Sequence, residues 1–130
     1  MHKSQPIILI IDDIPLNAVL LEAILRPAGY LTYKAYSGRE GRNLAIQVQP
    51  SLILLDITMP EEDGVTTCRI LKADPRTRNI PVIFLSAHVD EKNKAVGLAN
   101  GAVDYITKPF ERTGVLASIS SNLLMNHGKI

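Results

Sequence analysis

The chain contains one cysteine, Cys68, and no tryptophan. A single thiol excludes an internal disulfide framework and suits a reducing compartment. Its Cys-Arg-Ile setting offers no redox partner, so Cys68 reads as a small apolar residue on a helix face. No apolar stretch approaches the ~20 residues of a membrane-spanning helix. The N-terminal MHKSQP carries positive charge, but the apolar run behind it is too short for a signal peptide and ends in two aspartates. No segment reads as a lipidation signal or a low-complexity tract. Neither sign of charge dominates: 14 Lys and Arg face 13 Asp and Glu. That balance argues against a dominant nucleic-acid footprint. The expectation is a cytoplasmic protein, or a cytoplasmic piece of a larger one.

What is present is apolar residue in short pieces. The 130 residues are 46% hydrophobic and 21% charged, which suits one packed domain. The pieces are IILII (7–11), LTYKA (31–35), LILLD (52–56), VIFLS (82–86) and AVDYI (102–106). Stretches with helical spacing lie between and after them. Leu16, Leu20, Ala23, Ile24 and Pro27 mark a face of the first. Gly41, Leu44, Ala45 and Val48 mark the second, and Val65, Cys68 and Leu71 the third. Ala95, Val96 and Ala99 mark the fourth, and Val115, Leu116, Ile119 and Leu123 the last.

Punctuation agrees with this division. Pro15 suits a first helical turn. Ser37 with Glu40 fits a capping box, and Asp63 and Asp90 fit N-caps. Gly29 and Gly101 fall just past their helices. Gly114 is a discord, because glycine inside a helix costs roughly 1 kcal/mol. Strand and helix alternating five times imply parallel strands with right-handed crossovers. The first, third and fourth strands are continuous apolar runs, as central strands should be. The second carries Thr32 and Lys34, and the fifth Asp104, which suits edges. The expected fold is α/β, a flavodoxin-like doubly wound five-stranded parallel sheet in the order 2-1-3-4-5 with five helices. It forms a single domain over 1–130, with roughly residues 6–125 structured.

The carboxyl ends of these strands carry chemistry. The first ends at Asp12 and Asp13, the third at Asp56 and the fourth at Ser86; the fifth runs into Lys108 and Pro109. Carboxylates about 5 Å apart at an effective dielectric near 20 repel by roughly 3 kcal/mol per pair. A cation relieves that, and hard oxygen ligands suit Mg²⁺ or Mn²⁺ better than zinc. Mg²⁺ typically binds carboxylates together with a phosphate, and an aspartate can accept a phosphoryl group covalently. Asp56, alone on the central strand, is the best acceptor; Asp12 and Asp13 are better placed as ligands. Lys108 could supply a point charge and Ser86 a hydroxyl. Taken singly, each has a plainer reading: a turn for Asp12 and Asp13, a solvated lysine, a strand-end hydroxyl, a half-buried tyrosine at Tyr105. Arg39, Arg42, Arg76 and Arg78 read as solvated faces, and His88 as an exposed loop residue.

IIDD, LLDITMPEEDG, IFLSA and DYITKPF together resemble the receiver domain of bacterial two-component response regulators. The resemblance covers nearly the whole chain, in order and in register. It implies that Asp56 takes a phosphoryl group from a phosphohistidine on a sensor histidine kinase or a histidine phosphotransfer protein. It implies Mg²⁺ held directly by Asp13 and Asp56, through water by Asp12, and by the backbone carbonyl of Thr58. Lys108 would contact the phosphoryl oxygens across a cis Lys108–Pro109 bond. Ser86 would swing toward them and Tyr105 would then rotate inward. Thr58 and His88 stand where the family tunes phosphoryl lifetime. The face of the fourth helix, fifth strand and fifth helix would control a downstream partner or a fused output domain, and homodimers through it are common in the family. The role is a signalling switch that catalyses only its own phosphorylation and dephosphorylation. LKADPRTRNIPVIFLSA and GAVDYITKPF also resemble receivers fused to kinases or nucleotide cyclases.

Two other classes fit less well. An aspartyl phosphatase similar to the haloacid-dehalogenase enzymes needs an acid two residues beyond Asp12, where Ile14 stands. A flavin site needs a Ser-, Thr- and Gly-rich phosphate loop after the first strand, where DDIPLN stands.

Overall fold

The computed structural model describes residues 5–87 and 91–127, the side chains of 91–93 and 125–127 excepted. Among the described residues, five strands alternate with five α-helices. The strands are Ile7–Ile11 (β1), Leu31–Ala35 (β2), Leu52–Asp56 (β3), Val82–Ser86 (β4) and Asp104–Thr107 (β5). The helices are Pro15–Leu25 (α1), Gly38–Val48 (α2), Gly64–Ala73 (α3), Glu91–Ala99 (α4) and Arg112–His127 (α5). The strands pair in parallel in the order β2-β1-β3-β4-β5, as the sequence implies. Every residue of β3 and β4 is buried, whereas β2 at one edge is only partly buried. The fifth strand begins two residues later than expected. Ala102 instead closes the turn that follows α4, where its N–H bonds to the Gly97 carbonyl at 3.0 Å.

Strand alternation divides the core into two layers. Ile8, Ile10, Leu52, Leu54, Ile83 and Leu85 face α1 and α5, meeting Ala18, Leu21, Leu25, Val115 and Ile119. Leu9, Ile11, Ile53, Leu55, Val82 and Phe84 face the other way, meeting Ala45, Cys68 and Leu71 of α2 and α3. Cys68 is buried there, as its setting suggests. No helix among the described residues is long and apolar enough to cross a membrane.

Caps behave largely as their side chains predict. Ser37 accepts the Glu40 N–H at 3.1 Å, while the Glu40 carboxylate accepts from the N–H of Tyr36, one residue before the cap. Asp63 accepts the Thr66 N–H at 2.8 Å at the start of α3. Asp90 and His88 lie outside the described residues. Helix α1 has no side-chain cap; Pro15 follows Ile14, whose N–H goes to Asp12 Oδ1 at 2.9 Å. It ends in a 3₁₀ turn, Arg26–Ala28, closed by Gly29 at φ +100°.

Two helical faces differ from expectation. In α1 the buried residues are Ala18, Leu21 and Leu25; Leu16 is 63% exposed and Leu20 47%. Apolar residues stand almost all round this helix, so its periodicity does not select one phase. In α4 the expected Ala95, Val96 and Ala99 point outward and Gly97 is buried. A glycine gives no hydrophobic signal, yet its missing Cβ is what lets α4 close on the sheet. A Cβ there would strike the Tyr105 hydroxyl and lie 2.9 Å from Phe84 Cδ2.

Helix α5 buries Val115, Ile119 and Leu123 as expected. Gly114 lies in its first turns with nothing within 4 Å of where a Cβ would stand. Gly114→Ala therefore gains helix propensity without a clash. The expected result is about 0.5–1 kcal/mol of added stability in a urea titration, at unchanged slope.

Candidate functional site

Strand pairing carries the acids to one rim. The Asp12 N–H continues the β1–β2 ladder to the Ala35 carbonyl at 3.0 Å. Beyond Asp56, the Ile57 N–H reaches the Leu85 carbonyl at 3.1 Å. Sheet hydrogen bonds thus fix the backbone on which the carboxylates stand, whatever the carboxylates do to one another. Asp12 is fully buried and Asp56 is 2% exposed. Asp12, Asp13 and Asp56 each bring a carboxylate oxygen within 4.8 Å of the others.

Lys108 comes to this rim from the end of β5. Its N–H bonds to the Ser86 carbonyl at 2.9 Å, and the Lys108–Pro109 peptide is cis, as the resemblance implies. Its Nζ lies 3.2 Å from Asp56 Oδ1 and 3.7 Å from Asp12 Oδ2. The Thr58 N–H also donates to Asp56 Oδ1, at 3.2 Å. One ammonium thus faces two of the three carboxylates. Burial, and then the charge of Asp12, push the Asp56 carboxyl up to about 6; the Thr58 N–H and Lys108 work against that rise.

Two carboxylate oxygens, Asp12 Oδ2 and Asp13 Oδ1, are buried without a hydrogen-bond partner. Buried oxygens of ionisable groups left this way are costly unless a cation joins them. The donors are hard oxygens, so the residues fit Mg²⁺ or Mn²⁺.

The other expected site residues are placed less uniformly. Ser86 ends β4, is 4% exposed, and stands one residue beyond Leu85, the partner of Asp56 across the strands. Thr58 is exposed in the loop after β3. Tyr105 is away from the rim. It is buried in the layer facing α2 and α3, with its ring edge-on to Phe84 at 5.6 Å and under Gly97. It already occupies an inward position.

Sequence reasoning passed over one group beside the site. Arg42 is not a solvated face. Its Nε and Nη2 hold both carboxylate oxygens of Glu62 at 2.9 and 2.8 Å, and Thr67 Oγ1 donates to the same carboxylate at 2.6 Å. The Arg42 bonds hold the Glu62 carboxyl below its ordinary range. Arg42 and Glu62 are twenty residues apart, so no local spacing signals the pair.

Known proteins give the site its context. The sequence profile of the family described as response regulator receiver domain matches residues 8–120. The chain is 44% identical over 119 residues to the DNA-binding dual master transcriptional regulator RpaA of Synechocystis, covering 92% of this chain and 49% of that protein. It is 41% identical over 114 residues to the response regulator PleD of Caulobacter vibrioides, covering 88% of this chain and 25% of that protein. The chain thus spans about half the length of one relative and a quarter of the other. The receiver domain of the sensor histidine kinase PA1611 of Pseudomonas aeruginosa superposes with a TM-score of 0.81 at 29% identity, covering 97% of this chain and all of that one. That structure holds a magnesium ion in its active-site cleft. The profile match takes in every rim residue from Asp12 to Lys108, and by it the chain belongs to the response regulator receiver domains of two-component signal transduction.

Proposed function

We propose that Asp56 accepts a phosphoryl group from a phosphohistidine on a sensor histidine kinase or a histidine phosphotransfer protein. One observation carries the reading: two buried carboxylate oxygens without a hydrogen bond, on Asp12 and Asp13, stand beside an Asp56 carboxylate held 3.2 Å from an ammonium. In the transfer a carboxylate oxygen of Asp56 attacks phosphorus. A P–O bond forms as the P–N bond breaks, and the imidazole nitrogen keeps the electron pair. Asp56 must be ionised to attack, and Lys108 and the Thr58 N–H favour that form. Lys108 then stands beside the incoming phosphoryl oxygens, and the Ser86 hydroxyl reaches them from the next strand.

Asp12, Asp13, Asp56 and the Thr58 carbonyl would hold Mg²⁺ or Mn²⁺. When bound, the ion supplies charge neutralisation of the carboxylates and of the transferring group. The magnesium in the PA1611 receiver supports this. The output follows from packing. Ser86 and Tyr105 lie on adjacent strands, and Gly97 rests against the Tyr105 ring, so a turn of that ring displaces α4. The face of α4, β5 and α5 would thereby control a downstream partner or a fused output domain. RpaA, described as a DNA-binding transcriptional regulator, shows one form such an output takes in a similar protein. The chain acts as a signalling switch rather than as a turnover enzyme.

Intact mass after incubation with acetyl phosphate tests the reading. The expected result is gain of a single phosphoryl group, only with Mg²⁺ and only while Asp56 is present. Equal labelling of Asp56→Asn, or no labelling of the wild type under any condition, would overturn it.

A further inference from the structure

The loop over 57–63 joins the phosphoacceptor strand to α3, and it is held from outside itself. At its start the Thr58 N–H donates to Asp56 Oδ1 at 3.2 Å. At its end the Gly64 N–H returns to the Ile57 carbonyl at 3.0 Å. Between them Glu61 adopts φ +66°, a left-handed conformation that a non-glycine residue keeps only when its surroundings impose it. The next residue, Glu62, is where those surroundings act. Both of its carboxylate oxygens are taken by the Arg42 guanidinium of α2, and one of them also by Thr67 Oγ1 of α3. The Arg42 and Glu62 side chains are only 25% and 19% exposed.

Helix α2 reaches the loop because its first residue lacks a side chain. A Cβ on Gly38 would strike Thr67 Oγ1 and lie 2.6 Å from Glu62 Oε2. Three elements therefore converge on one carboxylate: α2 through Arg42 and Gly38, the loop through Glu62, and α3 through Thr67. A planar guanidinium making two parallel bonds fixes orientation as well as distance, which an ammonium does not.

We infer that Arg42, Glu62 and Thr67 form a clasp that positions the loop after Asp56, and with it the Thr58 backbone at the metal and phosphoryl site. None of the three touches the reacting atoms; they are positioning residues. The inference rests on the reading of Asp56 as a phosphoacceptor. Without the clasp, the loop relaxes around Glu61 and Thr58 leaves its place beside Asp56.

The test uses the 130-residue chain and three readouts: Mg²⁺ affinity by calorimetry, the rate of phosphoryl uptake from acetyl phosphate, and the thermal midpoint in EDTA. Arg42→Ala is expected to weaken Mg²⁺ binding and slow uptake by about tenfold each, the range seen when partners behind a metal ligand are removed. Arg42→Lys should recover little of either. Adding Glu62→Ala to Arg42→Ala should cost only the further factor of about five that belongs to the Thr67 bond, because Arg42 and Glu62 share one interaction. Thr67→Val should lower both readouts by about fivefold, the worth of one hydrogen bond, and Thr67→Ser should restore them. Thr67→Val keeps the question open to test if Arg42→Ala does not fold. A lowered midpoint with affinity and uptake within about twofold of wild type would overturn the clasp and leave a merely structural ion pair. Full recovery by Arg42→Lys would overturn it as well. If the wild type takes up no phosphoryl group, the reading of Asp56 fails, and the Mg²⁺ affinities of the variants still decide the clasp.

Discussion

Asp56→Asn is expected to abolish phosphoryl uptake and, in metal-free buffer near neutral pH, to make the fold more stable by about 2 kcal/mol. The gain comes from relieving a charge that the fold holds unwillingly. Burial and Asp12 raise the Asp56 carboxyl from 3.8 to about 6. The unfolded chain gives up this proton near its ordinary value, whereas the folded chain keeps it longer. The stability linked to this group is therefore complete below about pH 4 and is lost as pH rises through about 6. A shift of about two units corresponds to nearly 3 kcal/mol, and losing the charged bond to Lys108 returns part of it. Wild type and variant should thus be equally stable near pH 4 in EDTA, and should separate between about pH 4 and pH 6. Mg²⁺ should close the gap by stabilising the wild type, because it binds the folded chain and the variant has lost a ligand. Urea midpoints across that range, with EDTA and with Mg²⁺, decide the matter. A variant less stable than wild type in EDTA near neutral pH would mean that the three acids are not in conflict.

This conflict is also why the site was legible before the fold was known. A core strand gains nothing by ending in an acid, so acids closing IILII and LILLD stand out against any packing explanation. The strands were legible for a related reason. Runs buried on both faces need no periodicity to be recognised, and β1, β3 and β4 fall where the apolar pieces lie, as does the partly exposed edge strand β2. The helices were harder, because a helix must be assigned a face. PLNAVLLEAIL is apolar in nearly every direction, and only contact with Ile8, Ile10 and their neighbours selects Ala18, Leu21 and Leu25. In α4 the decisive residue is Gly97, which contributes by what it lacks. Arg42 was misread for a different reason. A guanidinium on a helix looks solvated until its partner, on a loop twenty residues on, is brought to it by the fold.

Gly64→Ala is expected to destabilise the fold by about 3 kcal/mol and to slow phosphoryl uptake by more than about tenfold. The change is chemically the same as Gly114→Ala, yet the opposite sign is expected. Gly64 opens α3 directly beneath the end of β3. A Cβ there would strike the carbonyl oxygen of Asp56 and stand 2.6 Å from Ile57 Cα and 3.0 Å from the Asp56 carbonyl carbon. All three are backbone atoms, held by the Ile57 N–H on Leu85 and by the Gly64 N–H on Ile57, so none can turn aside as a side-chain end could. Either the first turn of α3 lifts, straining Asp63 and its cap on Thr66, or the peptide after the phosphoacceptor shifts. Both movements reach Asp56 and Thr58. If glycine served here only to loosen the backbone, alanine would instead stabilise the fold by reducing the freedom of the unfolded chain. Urea unfolding and acetyl phosphate labelling of the two alanine variants side by side separate these accounts. A Gly64→Ala chain as stable as wild type, labelled at the wild-type rate, would mean that α3 does not abut the phosphoacceptor strand so closely.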